Sequence, residues 1–212
     1  MKVYEIKMRD FLKDKVQQPI RGKRDIILLL LETIKMFGNP EGSNLDVEGK
    51  IMICIDKMSR VFYETQDKYF SFLFPFSVEQ QENRCRFYDS LTECELNEKM
   101  ISLLISIFRQ DGLLEDSLEK AMDTIMESAE EYEYMDIDTI WRLIFKLWYM
   151  EDGYIRYDYD PEHEDGDRHP LHHLDINYSS GSTYKIGLKS SIKVKEFQNM
   201  MDIKTDCVYL SI

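Results

Sequence analysis

Long hydrophobic runs are the first thing missing. The longest aliphatic stretch, Ile26 to Leu31, is far too short to cross a bilayer, and the first ten residues, MKVYEIKMRD, carry charges where a secretory leader needs unbroken apolar sequence. The expectation is a cytoplasmic protein with no membrane partner. Cysteine is sparse as well: Cys54, Cys85, Cys94 and Cys207 show no CxxC or other ligand-like spacing, and 212 residues have no need of disulfide staples, so all four read as reduced thiols. Catalytic signatures built on glycine or paired histidines are absent. There is no Gly-rich phosphate loop, GxSxG elbow, HExxH or Rossmann fingerprint, which leaves P-loop, serine-hydrolase, zincin and dinucleotide chemistry without an anchor and gives no reason to expect a cofactor.

Positive charge is short too. Lys and Arg number 27 against 40 acids, a net charge of −13, and the deficit is concentrated: residues 111 to 140 hold eleven acids against the single base Lys120, and residues 151 to 175 hold nine against Arg156 and Arg168. The ends run the other way, with nine bases against five acids in residues 1 to 37 and five against two in 185 to 204. Such a midsection repels nucleic acid and suits a basic protein partner; nucleic acid could approach only through the basic ends or the histidine-rich segment described below. Solvated helix faces would show the same charge pattern.

What is present is enough apolar sequence, 43% with 12% aromatic, to build a core and exclude wholesale disorder. Residues 23 to 37 read as a helix, with Ile26, Ile27, Leu30, Leu31, Ile34 and Phe37 at helical spacing and Gly38-Asn39-Pro40 stopping it. A second helix is expected from Asp46 to Tyr63 on the spacing of Val47, Ile51, Ile55, Met58 and Phe62, although Gly49 lies inside it. The aromatic run from Tyr69 to Phe76 reads as a strand ended or confined to an edge by Pro75, with Arg84 to Tyr88 as its return. Further helices are expected at Asn97 to Arg109, at Leu114 to Tyr132 with an acidic outer face, and from a cap at Asp138 until Gly153. Strands follow at Tyr154 to Asp160, Leu171 to Tyr178 and Thr183 to Leu188, with a short helix over Val194 to Met201 and a last strand over Cys207 to Ile212. The expected class is α+β: an N-terminal helical body over 1–150 with a β-hairpin near 69–88, and a small C-terminal antiparallel β-rich unit over 151–212 packed on it as one protein.

All four histidines, His163, His169, His172 and His173, fall within eleven residues. Strand alternation puts His173, Asp175 and Asn177 on one face and His172, Leu174 and Ile176 on the other, so His172 reads as the core histidine and His173 as solvent-facing. On the preceding strand Tyr154, Arg156 and Asp158 share a face, and pairing the two strands could set Arg156 and Asp158 beside His173 and Asp175. A carboxylate orients a histidine and keeps it basic, an arginine holds phosphate, and a tyrosine can donate a proton, a set suited to metal-independent cleavage of a phosphodiester. His169, His173 and Asp175 are also metal-type donors, though their spacing matches no zinc pattern, and Pro161 and His163 spoil the acidic loop as an EF-hand. Asp and His beside a turn also serve simply to bond backbone groups and fix a loop.

The runs Gly153-Tyr-Ile-Arg-Tyr-Asp-Tyr-Asp, His169-Pro-Leu-His-His-Leu-Asp-Ile and Tyr184-Lys-Ile-Gly-Leu, with the helix after them, resemble DUF2290, a bacterial family without an assigned activity. The same stretch is similar to small ribonuclease-like toxins of toxin–antitoxin cassettes. The resemblance covers the last 60 or so residues and implies a bacterial protein of defence or toxin–antitoxin systems, with Arg156, Asp158, His169, His173 and Asp175 as the positions of interest. Two functions follow as expectations: an acidic subunit of a bacterial assembly that binds a basic partner, and a phosphodiesterase or ribonuclease with His173 as acid/base, Asp175 orienting it and Arg156 on phosphate.

Overall fold

Residues 50 to 64 do not form the expected helix. Ile51 and Ile55 are four residues apart, a spacing that suits both the helical period and the period of two of a strand; the β-branched run Ile51, Ile53, Ile55 tips the choice to strand. In the computed structural model, which describes residues 1–39, 49–82, 84–110, 113, 117–130, 136–179 and 181–209, this stretch is a hairpin. Gly49 sits just before it at φ +130°, where a Cβ would lie 2.9 Å from the Glu64 carbonyl oxygen, so the residue that disturbed the helical reading is one the hairpin requires. The proposed start of that helix, 46–48, and the turn cluster at 40–44 fall outside the described residues.

The elements in chain order are β1 (Lys2–Lys7), α1 (Asp10–Gln17), α2 (Lys23–Gly38), β2 (Lys50–Ile55), β3 (Arg60–Glu64), β4 (Lys68–Leu73), β5 (Ser77–Gln81), β6 (Arg84–Tyr88), α3 (Glu98–Arg109), α4 (Leu118–Glu130), α5 (Ile137–Tyr149), β7 (Ile155–Tyr159), β8 (His172–Ile176), β9 (Tyr184–Leu188) and α6 (Val194–Asn199). They divide into two units. The first comprises Met1–Arg9, Asp46–Phe74 and Asp152–Ile212; the second comprises Asp10–Leu45 and Pro75–Glu151.

The first unit is one antiparallel sheet of seven strands in the order β1-β2-β3-β4-β7-β8-β9. This overturns the expectation of an N-terminal helical body with a small C-terminal β unit, because four of the seven strands come from the first 73 residues. The join is β4 to β7, with Phe70 opposite Arg156 and Lys68 opposite Asp158. Pro75 therefore ends β4 without putting it on an edge. Nor is Arg84 to Tyr88 the return of β4: it pairs with β5 in a separate hairpin, Ser77 opposite Tyr88. Residues 207–209 are not a strand, and 210–212 lie outside the described residues.

Each face of the large sheet is apolar for a different reason. On one, Cys54, Phe62, Tyr157 and Leu174 pack with Phe197 of α6, backed by Met52, Tyr69, Ile155, Ile176, Ile186 and Leu188. On the other, Tyr63 stacks on Phe70 and Phe72 at 4.6 and 5.6 Å between ring centroids, and Phe70 meets Tyr154 at 5.9 Å. Towards β7, β8 and β9 this second face turns from aromatic to charged.

The second unit carries α1 to α5 and the β5–β6 hairpin. Asn97 caps α3, its side-chain oxygen accepting from the Met100 amide at 3.0 Å. Asp136, and not Asp138, caps α5, accepting from the Thr139 amide at 3.0 Å, while Asp138 pairs with Arg142 one turn on. The ends of the expected helix from 114 to 132 lie outside the described residues; within them α4 runs Leu118–Glu130. No helix among the described residues is long and apolar enough to cross a membrane.

Candidate active site

The charged part of the sheet face is built by register. Arg156 on β7 lies opposite Asp175 on β8, which lies opposite Lys185 on β9; one step along, Asp158 faces His173, which faces Gly187. Side chains directly opposite on adjacent strands project to the same face, so the five polar residues converge without any loop to position them. Arg156 spans two acids: Nε donates to Asp158 Oδ2 at 2.7 Å and the terminal Nη2 donates to Asp175 Oδ2. Lys185 Nζ donates to Asp175 Oδ1 at 2.8 Å and lies 2.9 Å from His173 Nε2. Asp158 Oδ2 is 3.6 Å from the same nitrogen.

His173 is fully buried, with Asp175 nearly so. The expected solvent-facing position of His173 is thus corrected. Alternation and register hold, but this face is covered by residues 160–170, which fold back so that the Pro170 carbonyl lies 2.8 Å from His173 Nδ1 and the His169 ring stands 4.7 Å from the His173 ring. A carbonyl only accepts, so Nδ1 carries the proton, and in the neutral ring the Nε2 lone pair faces Lys185. His172, the residue expected in the core, is partly exposed; its Nδ1 is 2.9 Å from the Tyr157 hydroxyl and its ring stacks on Tyr157 and Tyr159.

The cover depends on Gly187. A Cβ there would sit 2.9 Å from Pro170 Cγ, so a methyl would press on the residue whose carbonyl holds His173. Gly187→Ala is expected to destabilise the fold by about 1–3 kcal/mol, the usual range for forcing a methyl into a filled space. Urea unfolding checks it; a change below about 0.5 kcal/mol, as at an ordinary surface position, would mean that the Pro170 contact bears little.

His169 itself stays outside the ion-pair network. Its Nδ1 lies 2.6 Å from the His163 carbonyl, and its buried Nε2 has no hydrogen bond, with Asp160 Oδ2 at 3.7 Å. His163 is exposed and bonded to Asp160 through its amide and Nδ1. Burial works against the Asp160 charge, but the His163 contacts outweigh it and leave its pKa below the ordinary value. These three residues fix the covering loop.

Two contributors escaped the sequence reading of the site. Lys185 was legible in principle, since carrying the alternation from β8 into β9 sets it beside Asp175. Lys68 comes from β4 and no local pattern links it to residue 158. Burial pulls its pKa down to about 8, helped by Arg156 and opposed by Asp158. Tyr154, which strand alternation had set on the face of Arg156 and Asp158, is buried with its hydroxyl beside the Arg156 guanidinium. Burial pushes its pKa up to about 12 against the pull of Arg156. Burial also opposes the Arg156 charge, yet Asp158, Tyr154 and Asp175 together raise its pKa above the ordinary value.

Asp158, His173 and Asp175 bring metal-type donor atoms within 4.8 Å of one another. The donor types suit a divalent ion, but Lys185 bridges two of the three and Arg156 holds both carboxylates, so the positions a cation would take are already served by side-chain cations. No family model, curated protein or solved structure matches this chain.

Proposed function

We propose that the β7–β8–β9 site performs acid–base cleavage of a phosphodiester without a metal. The reading rests on one observation: a fully buried histidine, its Nδ1 proton fixed by Pro170, presents Nε2 to a lysine whose side chain is 39% exposed. Burial of so many ionisable groups in one place is costly for structure alone and is a common mark of a working site. In this scheme Lys185 swings from Nε2 to a phosphate oxygen when substrate arrives. His173 Nε2 then takes the proton of the attacking hydroxyl and returns it to the leaving oxygen. Asp175 and Asp158 hold the cations, and Arg156, tied between the two acids, positions them instead of binding phosphate as the sequence suggested.

The test is turnover of an RNA oligonucleotide and a nitrophenyl phosphodiester by the purified protein in EDTA. His173→Gln is expected to lose at least about 100-fold in rate, the lower range for a general acid–base. Lys185→Met should lose activity while keeping the fold, since its side chain reaches solvent. Wild-type turnover no faster than buffer, or full activity in Lys185→Met, would sink the reading.

A second reading is favoured by α4, where Glu119, Asp123 and Glu127 are exposed beside the exposed side chains of Met122 and Met126. Acid flanking exposed methionine suits a basic amphipathic segment of a partner protein, in line with an assembly of the defence or toxin–antitoxin kind. Co-purification at low salt that is lost at high salt supports this; a monomer that retains no neighbouring gene product at low salt opposes it.

A further inference from the structure

Arg60, on β3, lies outside the site just described. Its guanidinium is buried: Nε donates to Ser71 Oγ at 2.9 Å and Nη2 to the Gly153 carbonyl at 2.5 Å. Among the described residues no carboxylate lies within ion-pair distance of it, and Nη1 has no hydrogen bond. Asp56, one of the two acids nearest in sequence, is already tied to Lys204 at 2.5 Å and to the Met1 amino group at 3.4 Å. Burial lowers the Arg60 pKa to about 10, so it is still charged at neutral pH. Gly153, at φ +53°, leaves room for this group, since a Cβ there would stand 3.3 Å from Nη1. Arg60 Nη1 is not among the fully enclosed polar side-chain atoms that fail the hydrogen-bond geometry, so it keeps an opening.

Arg60 lines a cleft of about 120 Å³ whose walls include Met52, Cys54, Phe62 and Met201; Lys195 and two acids, Asp56 and Asp202, also line it, Asp56 being neutralised by Lys204 and the Met1 amino group. Methionine walls adapt to irregular hydrocarbon, and an open cleft lets a longer chain extend beyond them. A buried guanidinium with no ion-pair partner is matched best by a carboxylate, which it can hold through two parallel N–H donors. We propose that this cleft binds a small apolar carboxylate, its hydrocarbon among the methionines and its charge on Arg60.

Titration calorimetry of the whole protein with octanoate and benzoate, against octanol and benzyl alcohol, tests it. Saturable binding is expected, with each acid at least about tenfold tighter than its alcohol, a ratio worth ~1.4 kcal/mol. Bound octanoate should also slow alkylation of Cys54 read by peptide mass spectrometry, while that of exposed Cys207 is unchanged. Arg60→Gln should reduce the acid to the affinity of the alcohol. Should that variant not fold, Met201→Trp, which fills the cleft from the C-terminal side of α6, should abolish binding and Cys54 protection together. Equal affinity for acid and alcohol, no saturable binding by the wild type, or unchanged octanoate binding in the folded variant would overturn the assignment.

Discussion

Asp175→Ala is expected to cost about 3 kcal/mol of stability, the low end of the range for removing one partner of a buried ion pair. Asp175 receives Arg156 on one oxygen and Lys185 on the other, with its side chain 9% exposed. Its loss leaves two cations facing each other across β8 with Asp158 as the remaining acid. Partial access of Arg156 and Lys185 to water, at 19% and 39%, keeps the cost from the upper end. Urea unfolding at neutral pH measures it, and the double variant Asp175→Ala with Arg156→Met should recover part of the loss, because the stranded guanidinium is gone. Additive costs, or a single-variant loss under about 1 kcal/mol, would show that the network is looser than its geometry.

His173→Ala is expected to lose on the order of 1–3 kcal/mol, since the Pro170 carbonyl and the Lys185 ammonium both lose a partner on a wholly buried side chain. His172→Ala should cost about 1 kcal/mol or less, for that ring is partly exposed and its main polar contact is the Tyr157 hydroxyl. This ranking reverses the one that alternation alone suggests. Thermal melts of the two variants side by side decide it, and the opposite order would mean that the loop over His173 contributes little.

The reversal has a definite cause. Hydrophobic alternation identifies which residues share a face, and it placed His173 with Asp175, and Arg156 with Asp158, correctly in register. It does not say whether a polar face is wet. That is decided by residues 160–170 lying over the strand, which depends on the absence of a side chain at residue 187 and on one carbonyl at Pro170. His169 was singled out for its type and is present as a covering ring, not as a member of the ion-pair network.

The same division runs through the fold. Local sequence was sufficient for α2, α3, α5 and α6 and for the three C-terminal strands, because each has a period, a cap or a breaker within a few residues of itself. It failed at β2 and β3, where a spacing of four serves both periods, and where β-branching and the left-handed glycine before β2 outweigh it. Between β4 and β7 lies the whole Pro75–Glu151 segment of the second unit, and no window along the chain contains both strands. By itself the sequence determined that Arg156, Asp158, His173 and Asp175 could meet, since adjacent antiparallel strands of fixed alternation leave few registers. Only the tertiary structure decided that Lys68 borders them and that water is kept from His173, because those outcomes depend on which distant strand and which loop the face is closed against.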